Sequence, residues 1–65
     1  MTKQEREIMS LLKNFNLDVS STLHIMLELK DKDYEQSLFM GYLYDNEYNM
    51  ITSAEILEKV VQIVK

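Results

Sequence analysis

The sequence predicts an all-α fold: one domain, residues 1–65, built as a compact bundle of four short helices. Three observations lead there. The chain has no proline and one glycine, and a turn-rich β domain uses both freely to fix or invert φ. Hydrophobic residues make up 46% of it and charged residues 28%, too apolar for a disordered chain. Its apolar residues recur at helical rather than alternating spacing, and helix-start signals stand before them.

The first helix begins after Thr2, with Glu5 placed to complete a capping box. Ile8, Leu11, Leu12 and Phe15 follow at i, i+3, i+4 and i+7, one helical face. Asn16 is a left-handed stop, and "NLDVSS" is a short connection with Asp18 or Ser20 as the next N-cap. The second helix runs from Val19 or Ser21 to about Lys30. Leu23, Met26 and Leu27 are expected as its main buried stripe, flanked by Ile25 and Leu29. Lys30 and Lys32 suit the negative end of a helix macrodipole. "KDKD" predicts a break, although no Gly or Pro enforces it, and Asp33 with Gln36 has capping-box spacing for the next helix.

The third helix spans Tyr34 to about Tyr44, with Leu38, Phe39, Tyr42 and Leu43 on one face. Gly41 inside it costs about 1 kcal/mol against alanine, and the expected return is close approach of another backbone. "DNEYN" is a polar loop. The fourth helix has a capping box in Thr52 and Glu55, and Ile51 and Ile56 stand at hydrophobic-staple positions. Ala54, Ile56, Leu57, Val60, Val61, Ile63 and Val64 fill about half its circumference, whereas a one-sided surface helix needs a stripe of only ~100°. Such a helix sits centrally or faces a second chain.

Size and charge bound the function. A domain this short buries only about 60% of the surface its unfolded chain exposes, and small domains usually need a disulfide, a metal or a partner. There is no cysteine, which removes disulfides and thiolate metal sites together. "MTKQERE" is followed by no apolar segment of signal-peptide type, and no apolar run reaches the ~18 residues of a membrane span. The default location is cytoplasmic. Net charge is −4, and the excess lies wholly in residues 28–47, where Glu28, Asp31, Asp33, Glu35, Asp45 and Glu47 face only Lys30 and Lys32.

Enzymatic chemistry lacks parts. The single histidine, His24, lies mid-helix, and no glycine-rich turn supplies an oxyanion site to a serine. Acids alternate in "DKDYEQ" and "DNEYNM" as in a calcium loop, but that loop needs Gly at position 6 and Glu at position 12. Counting from Asp31 gives Gln36 and Tyr42, and from Asp45 gives Met50 and Ile56. One glycine excludes the standard phosphate loops. No cofactor and no metal are expected.

Phosphate neutralisation by Lys and Arg dominates nucleic-acid affinity, and seven bases against eleven acids is the wrong balance. Residues 38–61, "LFMGYLYDNEYNMITSAEILEKVV", resemble the opening of winged-helix proteins in their order of helix, loop and T-x-x-E-I-L. The resemblance covers roughly a third of the chain and implies a recognition helix beyond it. It supports the alternative reading, a small helix-turn-helix-like DNA-binding transcriptional regulator.

The first reading is a non-enzymatic protein-interaction or assembly module that self-associates, with no nucleic acid and no membrane as partner. A homodimer is expected, with Ile56, Val60, Ile63 and Val64 near its interface. Met40, Tyr44, Tyr48 and Met50 form a second candidate surface, because aromatic and methionine side chains are enriched where proteins meet.

Overall fold

The computed structural model describes all residues, 1–65, and contains four helices and no strand. They are α1 (Lys3–Asn14), α2 (Val19–Glu28), α3 (Asp33–Asp45) and α4 (Ser53–Val64). α1 and α4 each pack against both α2 and α3, so the chain order is not the spatial order, and α1 faces α4 diagonally across the centre. The molecule measures 28 × 22 × 22 Å.

The helix starts follow the sequence closely. Thr2 Oγ1 accepts from the Glu5 N–H at 3.1 Å while Glu5 Oε1 accepts from the Thr2 N–H at 2.8 Å. Thr52 and Glu55 repeat the exchange at 3.2 and 3.1 Å. Each box satisfies backbone donors that a helix N-terminus leaves orphaned. Asp18 caps α2 by accepting from the Ser21 N–H. Asn16 takes φ 59° and turns the chain after α1, a conformation asparagine tolerates better than most residues. Asn46 Nδ2 donates to the Tyr42 carbonyl at 2.8 Å and closes α3. The break between α2 and α3 is real: Leu29 caps α2, and Asp31 sits at φ 60°.

The core is contributed by every helix: Ile8, Leu11 and Leu12 of α1, Ile25 with the capping Leu29 of α2, Phe39 and Leu43 of α3, Ile56 and Val60 of α4. Full burial of such a side chain is worth roughly 1.5–3 kcal/mol. Ile51 packs against this cluster from the staple position.

Four expectations are corrected. The inward face of α2 is Ile25 and Leu29, while Leu23 and Leu27 stand outside and Met26 is half-buried. Leu38 is exposed, and buried Gln36 completes the α3 face with Phe39 and Leu43. Asp33 caps nothing: Lys32 occupies the N-cap position without a side-chain bond, and Gln36 turns into the core instead of back to the helix start. Gly41 is exposed, and a methyl group built on it would meet nothing within 4 Å. Its place in α3 faces solvent, so no second backbone approaches there.

Candidate interaction surface

α2 carries more apolar residues than one buried face can use. Ile25 and Leu29 point inward, and a second ridge of Val19, Leu23 and Leu27, spaced i, i+4, i+8, points out at 76%, 55% and 72% exposure. Residues at this spacing stand one above the next on a helix. The ridge borders α1, and the two helices enclose an apolar groove. Near the N-terminus of α2, Met9, Lys13, Leu17, Val19 and Leu23 line it. Near the C-terminus of α2, the lining is Met1, Glu5, Leu23, Met26 and Leu27, with Lys30 and Asp31 at the end. Leu23 belongs to both halves. Methionine side chains adapt to irregular apolar partners, and three of the five in the chain, Met1, Met9 and Met26, lie here.

The groove is bounded by charge. Glu5 is held below the usual carboxylate range, first by the hydrogen bond from the Thr2 backbone. It is therefore a fixed negative group at one end. Lys13 is the one charged residue lining the opposite half. Asp18, also lowered, chiefly by hydrogen bonding with Ser21, is engaged in capping α2.

The expected interface residues are distributed differently. Ile56 and Val60 are wholly buried within the chain, so neither has surface left for a second copy. α4 is wide in its apolar arc because it packs against α2 and α3 at once. Ile63 and Val64 are half-buried against the same core, and Ala54 and Val61 are the apolar residues of α4 that stay exposed.

Met40 is also half-buried against the core. Tyr44 is half-exposed and its hydroxyl donates to Glu7 Oε2 at 3.1 Å, a bond that raises its pKa. Tyr48 and Met50 project into solvent from the α3–α4 connection, Tyr48 at 93% exposure. None of Tyr44, Tyr48 and Met50 lines the α1–α2 groove.

No three His, Asp or Glu side chains converge as a metal site, and no buried side-chain nitrogen or oxygen lacks a partner. Burial, then Glu55 and Glu58, push the Tyr42 phenol up, and Lys59 Nζ stands 5.4 Å from its ring centroid. His24 is exposed on α2. No helix is long and apolar enough to cross a membrane. Compared with models of protein families, with characterised proteins and with solved structures, the chain has no significant match.

The α2 ridge escaped the sequence reading for a physical reason. Six apolar residues in or next to a ten-residue helix define two stripes, and periodicity does not say which one meets the rest of the chain. In the structure Leu29 caps the end of α2 and is fully buried, and Ile25, also fully buried, lies one turn before it.

Proposed function

We propose that the chain is a non-enzymatic protein-interaction or assembly module, and that it docks through the α1–α2 groove. The observation that carries this reading is the exposed ridge of Val19, Leu23 and Leu27 beside Met1, Met9 and Met26. A protein that folds with its core complete in one chain has no folding reason to leave three aligned aliphatic side chains in water. Contiguous apolar surface rimmed by charge is the pattern of a recognition site. A groove between two helices suits an amphipathic partner helix, which anchors in such a surface through apolar residues at i, i+3, i+4 and i+7.

The test is site-specific photo-cross-linking in the source cells. A benzophenone amino acid at Leu27 is expected to give one discrete adduct, and the same group at exposed Ser10, on the outer face of α1, none. Equal adducts or no adduct from both positions overturns the reading. Duplex DNA is not the partner in this proposal. Binding that weakens steeply with salt, the signature of phosphate neutralisation, supports the DNA-binding alternative instead.

A further inference from the structure

We infer that the chain forms a domain-swapped dimer: the break between α2 and α3 straightens into one helix, and α3–α4 of each copy packs on α1–α2 of the other. The α1–α2 pair stays together throughout, so the inference stands apart from the groove between them.

The break is weakly held. The connection Lys30–Asp31–Lys32 contains neither glycine nor proline, the residues that stop a helix most firmly. Asp31 takes φ 60° instead, a left-handed conformation that is costly for an L-residue, though less so for Asp than for most. α3 is the one helix whose N-cap makes no side-chain bond. The backbone N–H groups of Asp33, Tyr34 and Glu35 therefore have no acceptor within the chain. In a continuous helix each donates to the carbonyl four residues before it, at Leu29, Lys30 and Asp31.

The buried face runs in register through the break. Ile25, Leu29, Gln36, Phe39 and Leu43 are all fully buried, at successive spacings of four, seven, three and four residues. These are the spacings of a single helical stripe, although the residues belong to two helices. Straightening the connection keeps all five on one side of one helix. Lys32 falls on the same stripe, with Glu28 four residues before it and Glu35 three residues after it to pair with its charge. Asp31 and Glu35, alike in charge at i, i+4, oppose the helix by a similar amount.

The packing permits the exchange. α2 and α3 are consecutive, yet their backbones do not come together, and each packs on α1 and α4. One helix from Val19 to Asp45 is about 40 Å long, whereas the closed molecule measures 28 Å at most. On straightening, α3 therefore loses α1 and α2 loses α4. A second copy supplies both, with the same residues in the same contacts. The bonds from Gln4 to Gln36 and from Tyr44 to Glu7 re-form between copies. Such a swap is a low-cost route to a dimer, because its interface is the chain's own core. The bond from Gln36 to the Leu29 carbonyl is given up, since a continuous helix holds these residues two turns apart, and the Asp33 N–H takes its place.

The absence of cysteine from the chain allows a direct test. Glu7→Cys with Tyr44→Cys puts one thiol on α1 and one on α3, at exposed side chains that meet, and a short bis-maleimide joins them. In the swapped dimer the link runs between copies, and a denaturing gel reads twice the chain mass. In a closed monomer, or in a dimer of closed chains, the link stays within one chain. Interchain links are expected for the otherwise unmodified chain as its concentration rises to millimolar.

Two changes at the break set the equilibrium. Asp31→Ala removes a side chain that tolerates φ 60° and its repulsion from Glu35, and is expected to tighten dimerisation about tenfold or more in sedimentation equilibrium. Asp33→Pro suits the first position of α3, after a Lys32 that is already non-helical at φ −116° and ψ 74°. In a continuous helix the same ring clashes with the Leu29 carbonyl. This variant is expected to be a folded monomer by circular dichroism, with intrachain links alone. Intrachain links alone in both the unmodified chain and Asp31→Ala, up to millimolar concentration, overturn the swap, whatever the mass. Interchain links that Asp33→Pro leaves undiminished overturn the straightened helix as its route.

Discussion

The side-chain amide of Gln4 donates to the side-chain carbonyl of Gln36 at 2.9 Å, tying α1 to α3 across 32 positions of sequence. Gln36 in turn donates to the Leu29 carbonyl at 2.8 Å. One buried amide therefore links α1, the end of α2 and the first turn of α3. The C-terminal carbonyls of a helix need donors from outside it, and here the donor is a glutamine at a core position.

Replacing Gln36 with leucine keeps volume and apolar contact but removes both bonds. Leu29 retains the Lys32 N–H as a donor, so the carbonyl is not wholly orphaned. The expected loss is about 1–3 kcal/mol, read as a lower urea midpoint. Gln4→Ala should cost less, because water reaches that end of the link. A Gln36→Leu midpoint equal to that of the unmodified chain means that the network is dispensable.

The phase of α2 is tested by two leucines two positions apart. Leu29 is fully buried, and Leu29→Ala should cost about 2–5 kcal/mol. Leu27 is exposed in the protomer, and Leu27→Ser should change the stability of the monomeric state by no more than about 0.5 kcal/mol. Urea unfolding at low protein concentration measures both. Equal costs would return Leu27 to the core.

Much of the fold is legible in the sequence because its helix ends are written locally. Thr2, Asn16, Asp18 and Thr52 each act within a few residues of their own position, and each acts as its type suggests. What resists reading is tertiary. Gln36 has capping-box spacing from Asp33, yet its side chain turns into the core and its amide donates to the Leu29 carbonyl beside the Lys32 N–H. Leu23 and Leu27 look like core because a ten-residue helix with two apolar stripes gives no internal cue to the buried one. The width of the α4 arc is legible, but two neighbours in the same chain account for most of it. The groove and the buried face of α2 are illegible for one reason: contacts with the other helices, not the residues of α2, set which stripe turns inward.

Gly41 offers a gain in stability. It is helical, exposed and has no atom within 4 Å of an added methyl group. Gly41→Ala should raise stability by up to about 1 kcal/mol, the propensity difference in a helix interior. A lowered urea midpoint would show that solvent-facing α3 contacts something in solution.

Acid should loosen the starts of α1 and α2. Glu5 and Asp18 have pKa values lowered by the hydrogen bonds that cap these helices. A lowered folded pKa contributes stability that is present above the ordinary carboxylate range and lost as pH falls through the folded value. Glu5→Gln cannot titrate, so its difference in urea midpoint from the unmodified chain should be largest near neutrality and shrink below about pH 4. A constant difference would assign the effect of Glu5 to shape rather than charge.

The tyrosines should separate by what they touch. Tyr42 is half-buried, its ring 6.3 Å from that of Phe39 with the planes 19° apart, and Lys59 stands over it. Tyr42→Ala removes a ring from the edge of the core, and its cost should fall somewhat below the 3–5 kcal/mol of a fully buried aromatic, at about 2–3 kcal/mol. Tyr44 keeps one exposed hydrogen bond to Glu7, and Tyr44→Phe should cost no more than about 1 kcal/mol. Tyr48 touches solvent almost everywhere, so Tyr48→Ala should shift the midpoint by no more than about 0.5 kcal/mol. The order Tyr42, Tyr44, Tyr48 in urea unfolding is the expected result. If Tyr48→Ala costs as much as Tyr42→Ala, the α3–α4 connection folds back onto the helices in solution, and Tyr48 and Met50 are core rather than surface.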